Sequence, residues 1–189
     1  MRLFFGVFPS APVRDEVVRT LERDRAWVPS LRWVDRAQMH VTLQFLGELP
    51  EDRALVAERV ARDVAPAHAP FSASFAGYGV FPNPHRPMVL WLGVEDSGPL
   101  VRLAQALGAG LGAEGFVLDE RPFHAHLTLA RIKGRKQADE VRHLLDGARR
   151  PSTAACEVDS FVLLESRGGS YLPRATFALG GSIKPETAQ

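Results

Sequence analysis

The chain has 189 residues, 46 % hydrophobic and 24 % charged, which suits one large domain or two small fused lobes and is long enough to build a proper core. Its net charge of +1 excludes a globally basic nucleic-acid binder, so contact with a polyanion must rest on a local patch. A single cysteine, Cys156, excludes an internal disulfide and a cysteine-based zinc cluster; no apolar stretch approaches the roughly 18 residues of a membrane span, and an intracellular, cytoplasmic setting is expected.

Leu3-Phe4-Phe5-Gly6-Val7-Phe8 is a short apolar run that meets Pro9, and without a convincing cleavage site it reads as a strand, not a signal peptide. Ser10 caps and Pro12 opens a helix whose stripe is Val13, Val17 and Leu21, running to about Trp27. A short strand over 31–34 and a turn over 35–38 lead into the apolar run 39–46, whose length and β-branched and aromatic content predict a strand closed by Gly47. A second helix follows Leu49-Pro50, with Glu51 and Asp52 in its first turn, where the dipole favours anions, and Pro66 and Pro70 end it. Strands are predicted over 71–81 and 88–94, separated by the loop Pro82-Asn83-Pro84-His85-Arg86-Pro87, which is expected to overhang the site.

From Pro99 the same order begins again. Leu100, Leu103, Leu107 and Leu111 mark a helix, 116–118 a short strand, 123–132 a longer strand and Val141, Leu144 and Leu145 another helix; strands over 156–166 and 175–179 finish the chain, with a Gly168-Gly169-Ser170 loop between them and a polar tail from Ser182. Setting residue n against n + 86 places Leu21 on Leu107, His40 on His126, Thr42 on Thr128 and Phe75 on Phe161. This similarity of element order predicts a single domain of two lobes over residues 1–189, related by a pseudo-twofold and facing each other across a cleft.

The two aligned apolar runs carry the chemistry: His40-Val41-Thr42-Leu43 in one, His126-Leu127-Thr128-Leu129 in the other. Strand side chains alternate, so His40 and Thr42 share one face while Val41, Leu43 and Phe45 share the opposite, core-directed face; His126 and Thr128 divide from Leu127 and Leu129 in the same way. About 0.2 His-x-Thr triplets are expected by chance in a chain of this composition, so one copy would be weak and two are informative. Imidazole titrates near neutrality and can give or take a proton, and a neighbouring hydroxyl can donate to an oxygen where charge grows. Arg131, Lys133, Arg135 and Lys136 add positive charge at the end of the second strand. Strict alternation turns Arg131 away from the His126 face, so a site role for it requires a twist or bulge. Trp33, Phe45 and Tyr171 are aromatic candidates for stacking on a base, with Phe45 expected in the core and Tyr171, in a glycine-rich loop, the best placed.

Extended as His40-Val41-Thr42-Leu43-Gln44-Phe45-Leu46-Gly47 and His126-Leu127-Thr128-Leu129-Ala130-Arg131, the tetrads resemble those of the two-histidine phosphoesterase superfamily. Within it, the resemblance is to the RNA 2',3'-cyclic phosphodiesterases, also called 2'-5' RNA ligases, and it covers nearly the whole chain. It implies an α+β bilobal fold with two antiparallel sheets flanked by helices around a central cleft. It implies hydrolysis of 2',3'-cyclic phosphate ends of RNA to 2'-phosphates, with 2'-5' ligation as a second reaction, and no metal or other cofactor. The resemblance assigns His40 as proton donor to the leaving oxygen and His126 as proton acceptor from water. Thr42, Thr128, Arg131 and Tyr171 are the expected substrate contacts, in a monomer with no membrane association. A bell-shaped pH profile with its maximum at about pH 6 to 8 is expected of such a pair. One departure is visible: Ala125 precedes the second histidine where many members have Pro, and the extra His124 has the parity of His126 but is expected to be a bystander. The competing reading is a nucleotide- or RNA-binding module of the same fold without significant turnover.

Overall fold

A computed structural model of the chain describes residues 1–95, 97–147 and 150–180; the polar tail from Ser182 lies outside the described residues. The elements run β1 (Arg2–Val7), α1 (Ala11–Asp24), β2 (Val41–Glu48), α2 (Glu51–Val64), β3 (Phe71–Phe81), β4 (Val89–Glu95), α3 (Gly98–Ala113), β5 (His126–Arg131), α4 (Gly134–Asp146), β6 (Cys156–Val158), β7 (Ser160–Arg167) and β8 (Ser170–Ala178). The strands lie in the order β6-β3-β4-β5-β2-β1-β7-β8, and all the paired neighbours are antiparallel. Each of the halves β6-β3-β4-β5 and β2-β1-β7-β8 is an antiparallel sheet, and they meet at the single pair Val41↔Leu127. The α+β class and the two antiparallel sheets follow the sequence reading, with the sheets joined edge to edge at that pair.

One face of this sheet is covered by helices, because each helix carries one apolar stripe. Val13, Val17 and Leu21 of α1, Ala54, Ala57 and Ala61 of α2, and Leu100, Leu103, Leu107 and Leu111 of α3 are buried with the sheet residues Leu3, Phe5, Val41, Leu43, Leu92, Leu127 and Leu129 in one core. Each such leucine contributes about 1.5–3 kcal/mol relative to exposure. Phe5, Phe161 and Phe177 interlock at centroid separations of 5.2–6.0 Å and fix β1 against β7 and β8. The opposite face of β2 and β5 is left for the histidines.

The strand registers slip at a few places, and two of the slips matter. Between β1 and β2, Phe5 pairs with Gln44 while Gly6 pairs with Thr42, so Leu43 is an extra residue; between β4 and β5, Leu90 pairs with Ala130 while Trp91 pairs with Thr128, so Leu129 is extra. Each is a β-bulge that reverses the alternation beyond it.

Some expectations need correction. Residues 31–34 form only one bridge, Trp33↔Ala130, reinforced by the Val34 amide donating to Leu129 O at 2.7 Å. Residues 116–118 are not a strand, because the Phe116 amide is spent on Leu111 O at the end of α3 and Val117 is 93 % exposed. The run 156–166 is broken at Asp159 into β6 and β7. The last strand begins well before residue 175: Gly168 and Gly169, both at positive φ, form a tight turn that pairs β8 with β7 from Ser170 onward. The loop 82–87 does not line the cleft; its Pro84 carbonyl accepts from Arg142 of α4 at 3.1 Å.

Candidate active site

A cleft of about 640 Å³ opens where β2 and β5 meet. His40, Thr42, Thr128, Arg131 and Tyr171 line it, together with Phe45, Trp33 and the cations Arg2, Arg32 and Lys133. His126 is not one of its wall residues. It stands just ahead of Leu127, the residue that joins β5 to β2, close enough that when protonated it lowers the pKa of His40.

Both histidines are held in the same way. The Nδ1–H of His40 donates to Gln38 O at 2.6 Å, and the Nδ1–H of His126 donates to His124 O at 2.7 Å. A carbonyl only accepts, so each ring carries its proton on Nδ1 when neutral and offers Nε2 for chemistry. Beyond that bond the sites diverge. His40 Nε2 lies 3.0 Å from Thr42 Oγ1, whereas His126 Nε2 has no hydrogen-bond partner among the described residues. The ring of His40 packs against Phe4, Phe8 and Tyr171 at 4.9, 6.0 and 5.0 Å; that of His126 packs against Phe81 at 4.9 Å and against Trp91 and His124 at 6.2 Å. Burial in these aromatic walls pushes both imidazoles below their ordinary pKa, the carbonyl bonds oppose the shift, and the neighbouring imidazole adds to it, His126 acting on His40 and His124 on His126.

The two bulges decide who else reaches the cleft. Beyond Leu43, Gln44 turns to the helix side and donates to Ala104 O at 2.8 Å, which puts Phe45 on the His40 face, 57 % exposed and 5.9 Å from the Phe4 ring. The expectation of a core Phe45 is therefore overturned. In β5 the same insertion buries Leu129 and Ala130 side by side and returns Arg131 to the cleft, the irregularity its site role required. Tyr171 also reaches the cleft, but from β8, with its ring edge on His40 and Phe4 at 5.0 Å each. His124 is exposed and packs on Trp91 at 4.8 Å; its carbonyl accepts from His126, and its ring lies 6.2 Å from the His126 ring.

Gln38 escaped notice in the sequence. Its carbonyl orients His40, and its side-chain amide donates to Gly169 O, tying the residues before β2 to the β7–β8 turn. Arg2 and Arg32 were missed as well, since nothing in sequence marks a lone arginine as facing a cleft defined by distant strands. Among the described residues, no group of three or more His, Cys, Asp or Glu is arranged to hold a metal ion.

Two Nε2-presenting imidazoles, hydroxyls two residues along from each, and the Arg131 guanidinium make a site that can give and take protons at a bound phosphate ester. That is the class of site these halves define. The chain belongs to the 2'-5' RNA ligase superfamily, whose family model matches residues 9–170. It is similar to a protein of Thermus thermophilus named RNA 2',3'-cyclic phosphodiesterase, 35 % identical over an alignment covering 100 % of this chain and 96 % of that one. A protein of the same name from Archaeoglobus fulgidus is 35 % identical over 88 % of this chain and 91 % of its own. In structure it is similar to a Thermus thermophilus protein with TM-score 0.77 and 31 % identity, covering 96 % and 100 % of the two chains. It is also similar to Escherichia coli LigT complexed with 3'-AMP, with TM-score 0.75, 25 % identity and coverage of 94 % and 97 %.

Proposed function

We propose that this chain is an RNA 2',3'-cyclic phosphodiesterase that opens terminal cyclic phosphates to 2'-phosphates by general acid–base catalysis. The observation that carries this reading is the pair of imidazoles, each with Nδ1–H fixed on a carbonyl, one just before β2 and one at the start of β5, each next to the residue that joins the halves. His40 donates a proton to the departing 3' oxygen, and Thr42, at 3.0 Å from its Nε2, keeps that nitrogen directed. His126, with Nε2 open, takes the proton from water. Thr42, Thr128 and Arg131 stabilise the non-bridging oxygens as charge grows, and Tyr171 borders the nucleoside. Each proton transfer contributes about 10² to 10⁴ in rate. No step requires a metal, so excess chelator leaves the rate unchanged.

The same two histidines serve 2'-5' joining in the reverse direction, by microscopic reversibility. The reading includes a cytoplasmic monomer. It also includes an origin by internal duplication, for under an offset of about 86 residues β1 corresponds to β4, β2 to β5 and α1 to α3. The test is turnover of an RNA ending in a 2',3'-cyclic phosphate, with product analysis. A 2'-phosphate product is expected. A 3'-phosphate would reverse the roles of the histidines, and binding without turnover would favour the RNA-binding module.

A further inference from the structure

The cleft holds more positive charge than a cyclic phosphate requires. Arg2, Arg32, Arg131 and Lys133 all line it, and among the described residues no carboxylate does. Several arginines elsewhere are matched with acids, Arg36 with Asp15, Arg121 with Asp119, Arg142 with Asp139, Arg167 with Glu165, and Arg174 with Glu51 and Glu58, whereas others, Arg86 and Arg102 among them, stand apart from this cleft. None of the four cleft cations has an ion-pair partner among the described residues. A terminal cyclic phosphate carries a single charge, and Arg131, in the strand of His126, is placed for it. Of the remaining three, Lys133 follows two residues after Arg131 at the end of β5, while Arg2 and Arg32 come from other parts of the chain.

Their positions differ from that of Arg131 in a consistent way. Arg2 opens β1 and aligns across the strands with Ser166 of β7 and, through it, Tyr171 of β8, so it stands beyond the Phe4 and Phe45 rings as seen from His40. Along β1 it is four residues, about 13 Å, from Gly6, the partner of Thr42. Arg32 is exposed beside Trp33, which bridges to Ala130 of β5, and Arg32 also lines the cleft. Both arginines thus line the same cleft as Phe4, Trp33, Phe45 and Tyr171, on segments separate from the strand that carries His126 and Arg131.

We infer that Arg2 and Arg32 form a subsite for backbone phosphates of the RNA upstream of its cyclic end, which makes the enzyme selective for oligoribonucleotides over cyclic mononucleotides. This rests on the proposed phosphodiesterase reading and adds to it the two residues that hold the RNA beyond its cyclic end. A 2',3'-cyclic mononucleotide has no upstream phosphate, so it does not engage the subsite, whereas an oligomer places a phosphodiester at each nucleotide step and releases counterions when these are neutralised.

The experiment compares wild type with Arg2→Gln, Arg32→Gln and the double variant on 2',3'-cyclic AMP and on a short oligoadenylate ending in a 2',3'-cyclic phosphate. On the oligomer, kcat/KM is expected to fall about 10-fold per arginine, and the slope of its logarithm against that of salt concentration to flatten by about 0.7 for each phosphate no longer neutralised. On cyclic AMP it is expected to stay within about 2-fold of wild type. Equal losses on both substrates, or none on the oligomer, overturn the inference while leaving the phosphodiesterase reading in place. Equilibrium binding of the oligomer is measured in parallel, so the subsite is tested even where turnover fails: unchanged affinity and salt slope in the double variant overturn it regardless of activity.

Discussion

His40, just before β2, and His126, at the start of β5, make the same kind of carbonyl hydrogen bond, yet their surroundings are unlike. His40 is boxed by Phe4, Phe8 and Tyr171, with Thr42 on its second nitrogen, while His126 leans on Phe81 and Trp91 with its second nitrogen open. At the position just past the bulge the first half puts Phe45 into the cleft and the second puts Arg131. A symmetric scaffold therefore holds an asymmetric site. An acid has to keep its proton aimed at one oxygen, and a base has to leave a lone pair accessible to water, and it is on this difference that the proposed roles rest.

The sharpest way to break this comparison is to remove each ring in turn. His40→Ala and His126→Ala are each expected to lower kcat at least about 10²-fold with the fold intact, by circular dichroism and unfolding midpoint. A substrate with a much better 3' leaving group restores His40→Ala but not His126→Ala; the opposite pattern reverses the roles. Thr42→Ala and Thr128→Ala are expected to cost about 10- to 10³-fold through the removal of hydroxyl donors. Thr42→Ala alone also moves the pH limb that belongs to His40, since only Thr42 meets an imidazole Nε2.

Two glycines probe the aromatic walls. A Cβ on Gly79 lies 2.0–2.4 Å from the Trp91 ring, so Gly79→Ala displaces the indole beside His126 and costs about 1–3 kcal/mol in urea unfolding. On Gly6 the nearest atoms are Val41 O at 3.2 Å and His40 Cδ2 at 3.3 Å, so Gly6→Ala needs shifts of only tenths of an ångström; kcat is expected to fall more than stability does. The smallest effect is in the pH profile. Both imidazoles are depressed, so the base becomes competent and the acid loses its proton at lower pH than free imidazole does. Both limbs move to the acid side, and the bell in kcat/KM peaks below about pH 6.5, at the acid edge of the range expected from sequence. An apex above pH 7 would contradict the burial of these rings.

Element order was legible because each helix keeps a one-sided stripe and each central strand an apolar run. The histidines and threonines were legible because the pattern occurs twice. Phe45 was misplaced for a physical reason: alternation has a period of two, and an inserted residue such as Leu43 shifts the phase without any mark of its own in composition. The same insertion at Leu129 corrected the parity of Arg131. Most of β8 was missed because only Phe177 in it is buried, so the strand has no apolar rhythm to detect. Gln38 acts through its backbone carbonyl, which every residue possesses, and no residue type announces that.

Mechanically, the joint between the halves resembles two stiff plates on a narrow hinge. β1 and β2 share six paired positions and β4 and β5 five, yet β2 and β5 share one. A ligand gripped by the Thr42 side and the Thr128 side at once acts as a clasp across that hinge, and its binding free energy goes into holding the plates at one angle. The amides on either side of Val41 and Leu127 then exchange more slowly with solvent in the bound protein, while those between β1 and β7, already locked by Phe5 and Phe161, change little.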